Sequence, residues 1–389
     1  MHFITWEGEI IMRILFIAPR MHTNQNPIIK GLMEDNNEVV FAAYTKSFSE
    51  DYSIINPVII KRSILSKIIC NFISKKETAN NAETKKLRWY IPSLFWTMKF
   101  VRKVKPDLVI LRDSSKSSCV FYLICKLLFL KKVILYDQHP LLTRFSRSHK
   151  WLFPKVRYSP VLGEGVSPNF DNVFVSNHAY FVPFVYESNF RTIKKSIYPI
   201  QILDVGKFRD YKNHILLIDA IGILLKKGCN KFSLTIVGQS KNSEEAAYLE
   251  NLKNRIEEYK MGNFVKFFCN IPYKEMNDIY QKNDILVLPS KKEIAGMVVI
   301  EAMGNGLCVL SSDANGTAKY AKDIDADNVF NHQNAHDLAN RLLYLIENPN
   351  VLDAIKKNSL DYISHNCCYS EYKRIVSFIL KKEFKYEWK

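Results

Sequence analysis

Between Asp284 and Ser312 the sequence sets two carboxylates and a glycine around a strand, a loop and a helix. The strand, Ile285–Leu288, ends at Pro289-Ser290, the loop runs Lys291 to Gly296, and a helix opens at Met297 and Val298 and closes near Gly304. Glu293 falls in the loop and Glu301 on the helix. Gly296 lets a backbone come close to a ligand. The free N–H groups and partial positive charge at the helix start suit a phosphate. A carboxylate beside them can accept both hydroxyls of a vicinal diol such as ribose. Two isolated glutamates would read as an exposed side chain and a helix salt bridge. The surroundings favour a site.

The surroundings are two more strand ends. Val205-Gly206-Lys207-Phe208-Arg209-Asp210-Tyr211-Lys212-Asn213 follows a strand and opens a helix, so Gly206 can stand where a side chain would clash. Lys207 and Lys212 flank that loop and can neutralise a diphosphate. Ile236-Val237-Gly238 ends another strand in glycine at the same edge. Together these residues read as a nucleotide-diphosphate site without a P-loop. No G-x-x-x-x-G-K-[ST] occurs, and Gly304-x-Gly306 lacks the third glycine of the dinucleotide fingerprint. No Asp-x-Asp or His/Cys cluster suggests a metal, so no metal and no cofactor is expected and the lysines balance the phosphate charge.

The elements that must hold these residues alternate strand and helix. Strands are expected at Ile14–Ala18, Val39–Ala43, Leu108–Leu111, Val133–Tyr136 and Tyr180–Phe184, then at Ile200–Val205, Ser233–Val237, Val265–Phe268, Ile285–Leu288 and Cys308–Ser311. Most are near-continuous apolar runs, the mark of parallel strands covered on both faces. The intervening helical patterns, such as Asn213–Lys227 and Ser243–Glu258, make the class α/β. The pattern restarts at Pro199 after a polar stretch, with a linker at about 187–199. The expected domains are 1–190 and 199–368, doubly wound and facing a cleft, with ligands at the carboxyl ends of the strands. Residues 1–11 read as an extension before a natural start at Met12.

Charge separates the halves. The chain of 389 residues carries a net +16, and residues 51–150 alone hold 20 Lys and Arg against 6 Asp and Glu. Such asymmetry points to an anionic partner. Trp and Tyr beside the charge, at Leu87-Arg88-Trp89-Tyr90 and Phe95–Phe100, suit a lipid headgroup layer, although a solvated basic face has the same composition. No zinc finger, helix-turn-helix or RNA-binding motif supports nucleic acid. The longest apolar run, Cys119 to Leu130, is twelve residues and contains Lys126, short of the about 20 that a span needs. The N-terminus has no basic region of a secretory signal, and the eight cysteines, without a C-x-x-C pair, read as reduced thiols in the cytosol.

Residues ~200–345 resemble the donor-binding domain of the two-domain retaining glycosyltransferases, family 4 type with the GT-B fold. The resemblance rests on VGKFRDYKN, TIVG and NDILVLPSKKEIAGMVVIEAMGNGLCVLSS. It implies that Glu293 contacts the transferred sugar and Glu301 the ribose, and that Lys207 and Lys212 are the basic pair, with Lys207 where arginine is more usual. MRILFIAP, KPDLVILR and VILYDQHP are similar in style to the family's first domain and place His139 at its active-site histidine. The loop Pro19–Gln25 departs from the family, whose glycine pair is absent. The implied activity is transfer of a sugar, with retention, from a UDP-sugar or GDP-sugar co-substrate to a lipid-linked or saccharide acceptor. Surface-polysaccharide or lipopolysaccharide synthesis is the implied setting, at the inner face of the cell membrane. A C-terminal helix, 369–389, would pack back on the first domain. A sugar-nucleotide epimerase and a non-catalytic membrane-associated relic are the rivals. The sugar, the base and the linkage stay open.

Overall fold

The structure, a computed structural model, describes residues 11–46, 50–76, 89–138, 151–162, 173–176, 178–188 and 193–388. His139 and the pair Leu87-Arg88 lie outside the described residues. The chain divides into two compact units. One comprises Met1–Pro160, Gly165–Val185 and Tyr369–Lys389, the other Val161–Glu164 and Tyr186–Cys368.

The first unit is built on strands β1 (Arg13–Ala18), β2 (Glu38–Ala43), β3 (Val58–Ile59), β4 (Leu108–Arg112), β5 (Val133–Tyr136), β6 (Arg157–Ser159), β7 (Phe174–Ser176) and β8 (Ala179–Phe181). Their order is β3-β2-β1-β4-β5-β6-β8-β7, parallel except for the β7–β8 pair. Alternate residues of each central strand enter two different cores. Leu15, Ile17, Val109, Leu111, Val133 and Leu135 face one; Ile14, Phe16, Leu108, Ile110 and Ile134 face the other. Both faces are covered, which is why these strands are apolar throughout. Helices α2 (Ile64–Lys76), α3 (Leu94–Val104) and α4 (Lys116–Leu127) follow β3, precede β4 and follow β4 respectively. Opposite them, α1 (Asn26–Glu34) and the C-terminal helix Tyr369–Phe384 cover the second core. That helix contributes Tyr372, Ile375, Val376, Ile379 and Leu380, spaced as one helical face.

The second unit holds β9 (Ile200–Lys207), β10 (Phe232–Gln239), β11 (Val265–Cys269), β12 (Ile285–Leu288), β13 (Cys308–Ser312) and β14 (Val329–Phe330) in the order β11-β10-β9-β12-β13-β14. All pairs are parallel. This is the doubly wound order, with its reversal between β9 and β12, where such sheets open a crevice at the carboxyl ends. The helices are α5 (His214–Lys226), α6 (Ser243–Glu258), α7 (Met276–Gln281), α8 (Met297–Gly304), α9 (Ala318–Lys322), α10 (Ala335–Glu347) and α11 (Pro349–Asn366). Asn242 and Asn334 accept from backbone N–H groups of the first turns of α6 and α10, capping them.

Several expectations change in detail. The strand expected over Tyr180–Phe184 is Ala179–Phe181. Residues 186–188 belong to the second unit, where the Ser188 hydroxyl donates to the Gly304 carbonyl. Residues 193–199 of the segment read as a linker are also built into that unit. Lys356, itself buried, donates to the Lys194 carbonyl at 2.7 Å and to Asp284 at 2.8 Å, and the Ser196 N–H reaches Asp353 at 2.9 Å. Tyr90 is a core residue stacked on Tyr44, not a surface aromatic.

Candidate active site

The second unit gathers its candidate residues at the carboxyl edge of its own sheet. β9 and β10 run in register, so Gly206 lies beside Gly238 and Lys207 beside Gln239. A Cβ on Gly238 would overlap the Phe208 ring and sit 2.7 Å from the Gly206 carbonyl oxygen. The glycine thus lets the turn after β9 fold over the end of β10. Phe208 is fully buried there and anchors that turn.

The turn carries Lys212 back over β9 in a single 3-10 turn, Asp210–Lys212. Asn213 then takes a left-handed backbone, and its side chain donates to the Pro289 carbonyl at 3.1 Å and to the His332 carbonyl at 3.0 Å. One asparagine thereby ties the lysine turn to the end of β12. Lys212 lies over Gly206, where an added Cβ would be 3.2 Å from its Cδ. Its ammonium forms an ion pair with Glu293, both side chains largely buried. The sequence separates these residues by three strands and three helices, and the crossing at β9–β12 brings them together.

The Glu293 loop is a built element. Glu293 bridges to Asn315 across a short parallel pairing, with Glu293 N–H donating to Ala314 O at 3.2 Å and Gly316 N–H to Glu293 O at 2.9 Å. Gly316 is required there, because a Cβ would collide with the Ile294 carbonyl. Gly296 is also required by the protein itself, its Cβ position lying 2.8 Å from Leu288 and 3.1 Å from the Thr317 hydroxyl oxygen. At the start of α8 the Met297 N–H donates to Ala295 O and the Val299 N–H to Gly296 O, both at 3.0 Å. Among the described residues that leaves the Val298 N–H as the donor of this turn without an intramolecular acceptor.

Glu301 sits apart from the lysine pair. Its carboxylate accepts from the buried Tyr280 hydroxyl at 2.8 Å and from Tyr273 at 3.4 Å. Burial raises its pKa, and the two phenol hydrogen bonds pull it back. It makes no helix salt bridge among the described residues. Lys207 is exposed at the end of β9, and its positive charge is felt by Glu245.

Sequence reasoning passed over a buried pair directly beneath this site. Asp204 and His214 are 1% and 0% exposed, with Nδ1 and Oδ2 3.6 Å apart, too far for a hydrogen bond. Burial pushes Asp204 up to about 7 against the pull of Lys212. Burial pushes His214 down to about 4; the Lys212 backbone pulls it back up, and the Lys212 charge lowers it by less. Only the position of Asp204 within an otherwise apolar strand could have signalled it.

In the first unit the carboxyl edge also carries an ordered polar cluster around the loop Pro19–Gln25. Glu50 accepts from the Thr23 N–H at 2.6 Å and from the Thr23 hydroxyl at 2.9 Å, and pairs with His22 at 3.0 Å. Arg112 donates to Gln25 at 3.0 Å. Burial alone would raise Glu50, but the His22 and Thr23 bonds hold it down at about 2. Among the described residues no three His, Cys, Asp or Glu side chains converge as a metal-ligand set, and no helix is long and apolar enough to cross a membrane.

Fold and site define a class, the GT-B architecture of two doubly wound units. A glycosyltransferase from Rickettsia africae ESF-5 superposes with a TM-score of 0.68 at 14% identity, covering 96% of this chain and 99% of that one. Anabaena Alr3699/HepE, solved in complex with UDP, gives 0.66 at 13% identity over 95% and 99%. Within that class, residues 187–361 match the family described as glycosyl transferases group 1, a segment that contains Gly206, Lys212, Glu293 and Glu301. Mannosylfructose-phosphate synthase of Agrobacterium fabrum is 30% identical over 106 residues, 27% of this chain and 23% of that protein. The chain therefore spans about a quarter of the length of that curated relative.

Proposed function

We propose that this protein is a retaining glycosyltransferase that moves a sugar from a nucleotide-diphosphate donor, UDP- or GDP-linked, to a lipid-linked or saccharide acceptor. The observation that carries the reading is the Lys212–Glu293 pair over Gly206, at the strand-order reversal and inside the segment that matches the group 1 family. In the free protein each of these two groups neutralises the other. A donor diphosphate offers Lys212 a stronger partner, charge-assisted on both sides. Lys212 then turns to the phosphates with Lys207, and Glu293 is released to orient the sugar. The Val298 N–H at the start of α8 is a further donor to phosphate. Glu301 takes the ribose hydroxyls in place of the long Tyr273 bond.

Chemistry follows from where charge develops. The bond from the anomeric carbon to the diphosphate oxygen breaks, the acceptor oxygen bonds to that carbon from the same face, and its proton passes to the departing phosphate. Lys207 and Lys212 stabilise the negative charge on the leaving group, and no metal or cofactor is needed for that role. His139 takes its place beside the sugar in this reading. A basic first unit suits an acceptor at an anionic membrane surface, and the bacterial surface-polysaccharide setting at the inner membrane face belongs to the same proposal.

Thermal shift tests it. UDP, GDP, ADP and CMP are added to the native chain and to Lys212→Ala. At 100 times its dissociation constant a nucleotide adds about 2.7 kcal/mol, a rise of several degrees. The expected result is a shift with one diphosphate that is lost in Lys212→Ala. No shift with any nucleotide in the native chain removes the reading.

A further inference from the structure

The first unit has a cavity at the opposite, amino end of β5 and β6, away from its own polar cluster. Its volume is about 390 Å³, and its lining includes Tyr122, Lys126, Lys131, Lys155, His178 and Glu383. Among the described lining residues the only carboxylate, Glu383, is already engaged by His178 at 2.7 Å and by the Tyr180 hydroxyl. The three lysines are exposed and form no ion pair among the described residues. The Lys126 ammonium lies over two rings, 5.4 Å from Tyr122 and 5.5 Å from Trp151.

Large apolar side chains next to these lining residues in the chain, or in contact with Lys126, are turned outward. Leu127, Phe129 and Trp151 are 61%, 87% and 64% exposed. Phe129 holds the position after α4 where the chain turns left-handed, with φ 58°. Leu130 N–H donates to Cys125 O and Phe129 N–H to Lys126 O, the paired closure that normally takes glycine. A phenyl group placed there costs backbone energy and buries nothing, so local stability does not explain it.

We propose that this cavity and these apolar side chains form a docking site for an anionic lipid surface. The lysines receive a headgroup phosphate, and Phe129, Leu127 and Trp151 enter the layer beneath it. Charge complementarity selects the occupant, since a basic pocket with exposed apolar side chains beside its lysines in the chain matches a phosphate held above hydrocarbon. The inference deepens the membrane part of the proposed function and does not use the donor site.

The test is sedimentation of the full chain with phosphatidylcholine vesicles, with and without phosphatidylglycerol. Native protein should bind only the anionic vesicles. K126A/K131A/K155A should weaken binding on the order of a hundredfold. Phe129→Gly should weaken it at least about tenfold while melting no lower than the native chain, because glycine suits that backbone. This variant separates lost docking from lost folding. Anionic-vesicle binding that survives in both variants overturns the site and leaves the membrane reading standing. Absence of binding by the native chain removes both. A lysine-dependent thermal shift with inorganic phosphate, without vesicle binding, assigns the pocket to a soluble phosphate and overturns the lipid occupant. In every case the nucleotide shift, measured on the same variants, reports separately on the donor site.

Discussion

Asp204 and His214 lie beneath Lys212 without hydrogen bonds from their side chains, and their opposite shifts make a sharp prediction. Asp204 binds its proton more tightly folded than unfolded, so its contribution is full below the ordinary carboxylate range near 3.8 and is lost as pH rises toward about 7. His214 binds its proton more weakly folded, so its contribution is lost as pH falls from 6.5 toward about 4. Between those limits the two slopes oppose each other, and stability should change little with pH on their account. Asp204→Asn removes one slope. The variant should then gain stability from pH 4 to 6.5 by up to about 1.4 kcal/mol per unit, read as urea midpoints across that range. A native and a variant curve of equal slope would rule this out. Glu301 gives a second test at this scale. Tyr280→Phe removes a hydrogen bond that favours the carboxylate, so the Glu301 pKa should rise further above its ordinary value. The affinity for the ribose of a nucleoside diphosphate should fall by roughly tenfold, about 1.4 kcal/mol. Affinity for the 2′-deoxy analogue should fall less, and calorimetric titration of both ligands checks it.

The elements show why some of this could be read in advance. Strands with both faces covered must be apolar at every position, so Ile14–Ala18, Val133–Tyr136 and Ile285–Leu288 were legible, and the α/β class with them. The edge pieces β3 and β14 have two residues each and the edge strand β7 and the internal β6 three, too short to carry a period. Within the site, glycines at strand ends were visible as types, but their reasons were not. Gly238 and Gly296 make room for Phe208, Leu288 and Thr317, partners that come from other elements. The Lys212–Glu293 pairing and the tie made by Asn213 depend on which strands are neighbours, information no local window contains. Gly316 was missed for the same reason. Gly316→Ala forces a Cβ against the Ile294 carbonyl and opens the bridge that holds Glu293. It should cost about 1–3 kcal/mol and abolish the nucleotide shift. Gly262→Ala, where a Cβ meets nothing within 4 Å, should change neither quantity measurably.

At the scale of the whole chain, two bodies with separate cores are made from one sequence, and the first is completed only by residues 369–389. Tyr372, Ile375, Val376, Ile379 and Leu380 are all buried in the core formed by Ile14, Phe16, Ile110 and Ile134. The second unit keeps its own core around Ile202, Leu217, Leu234 and Ile285. Substitutions in the C-terminal helix should therefore act on the first core, although the chain enters that helix directly from the second unit. Truncating a buried isoleucine to alanine costs about 2–5 kcal/mol, so I375A/I379A removes much of a typical domain stability of about 5–15 kcal/mol. Scanning calorimetry should show one melting component displaced strongly downward and the other left in place. Addition of the nucleotide that shifts the native chain should raise only the component that the substitutions leave alone, because Lys212 and Glu293 belong to the second core's unit. A single transition in which substitution and ligand move the same component would show that the two cores fold as one, and that the helix stabilises the donor site as well as the sheet on which it lies.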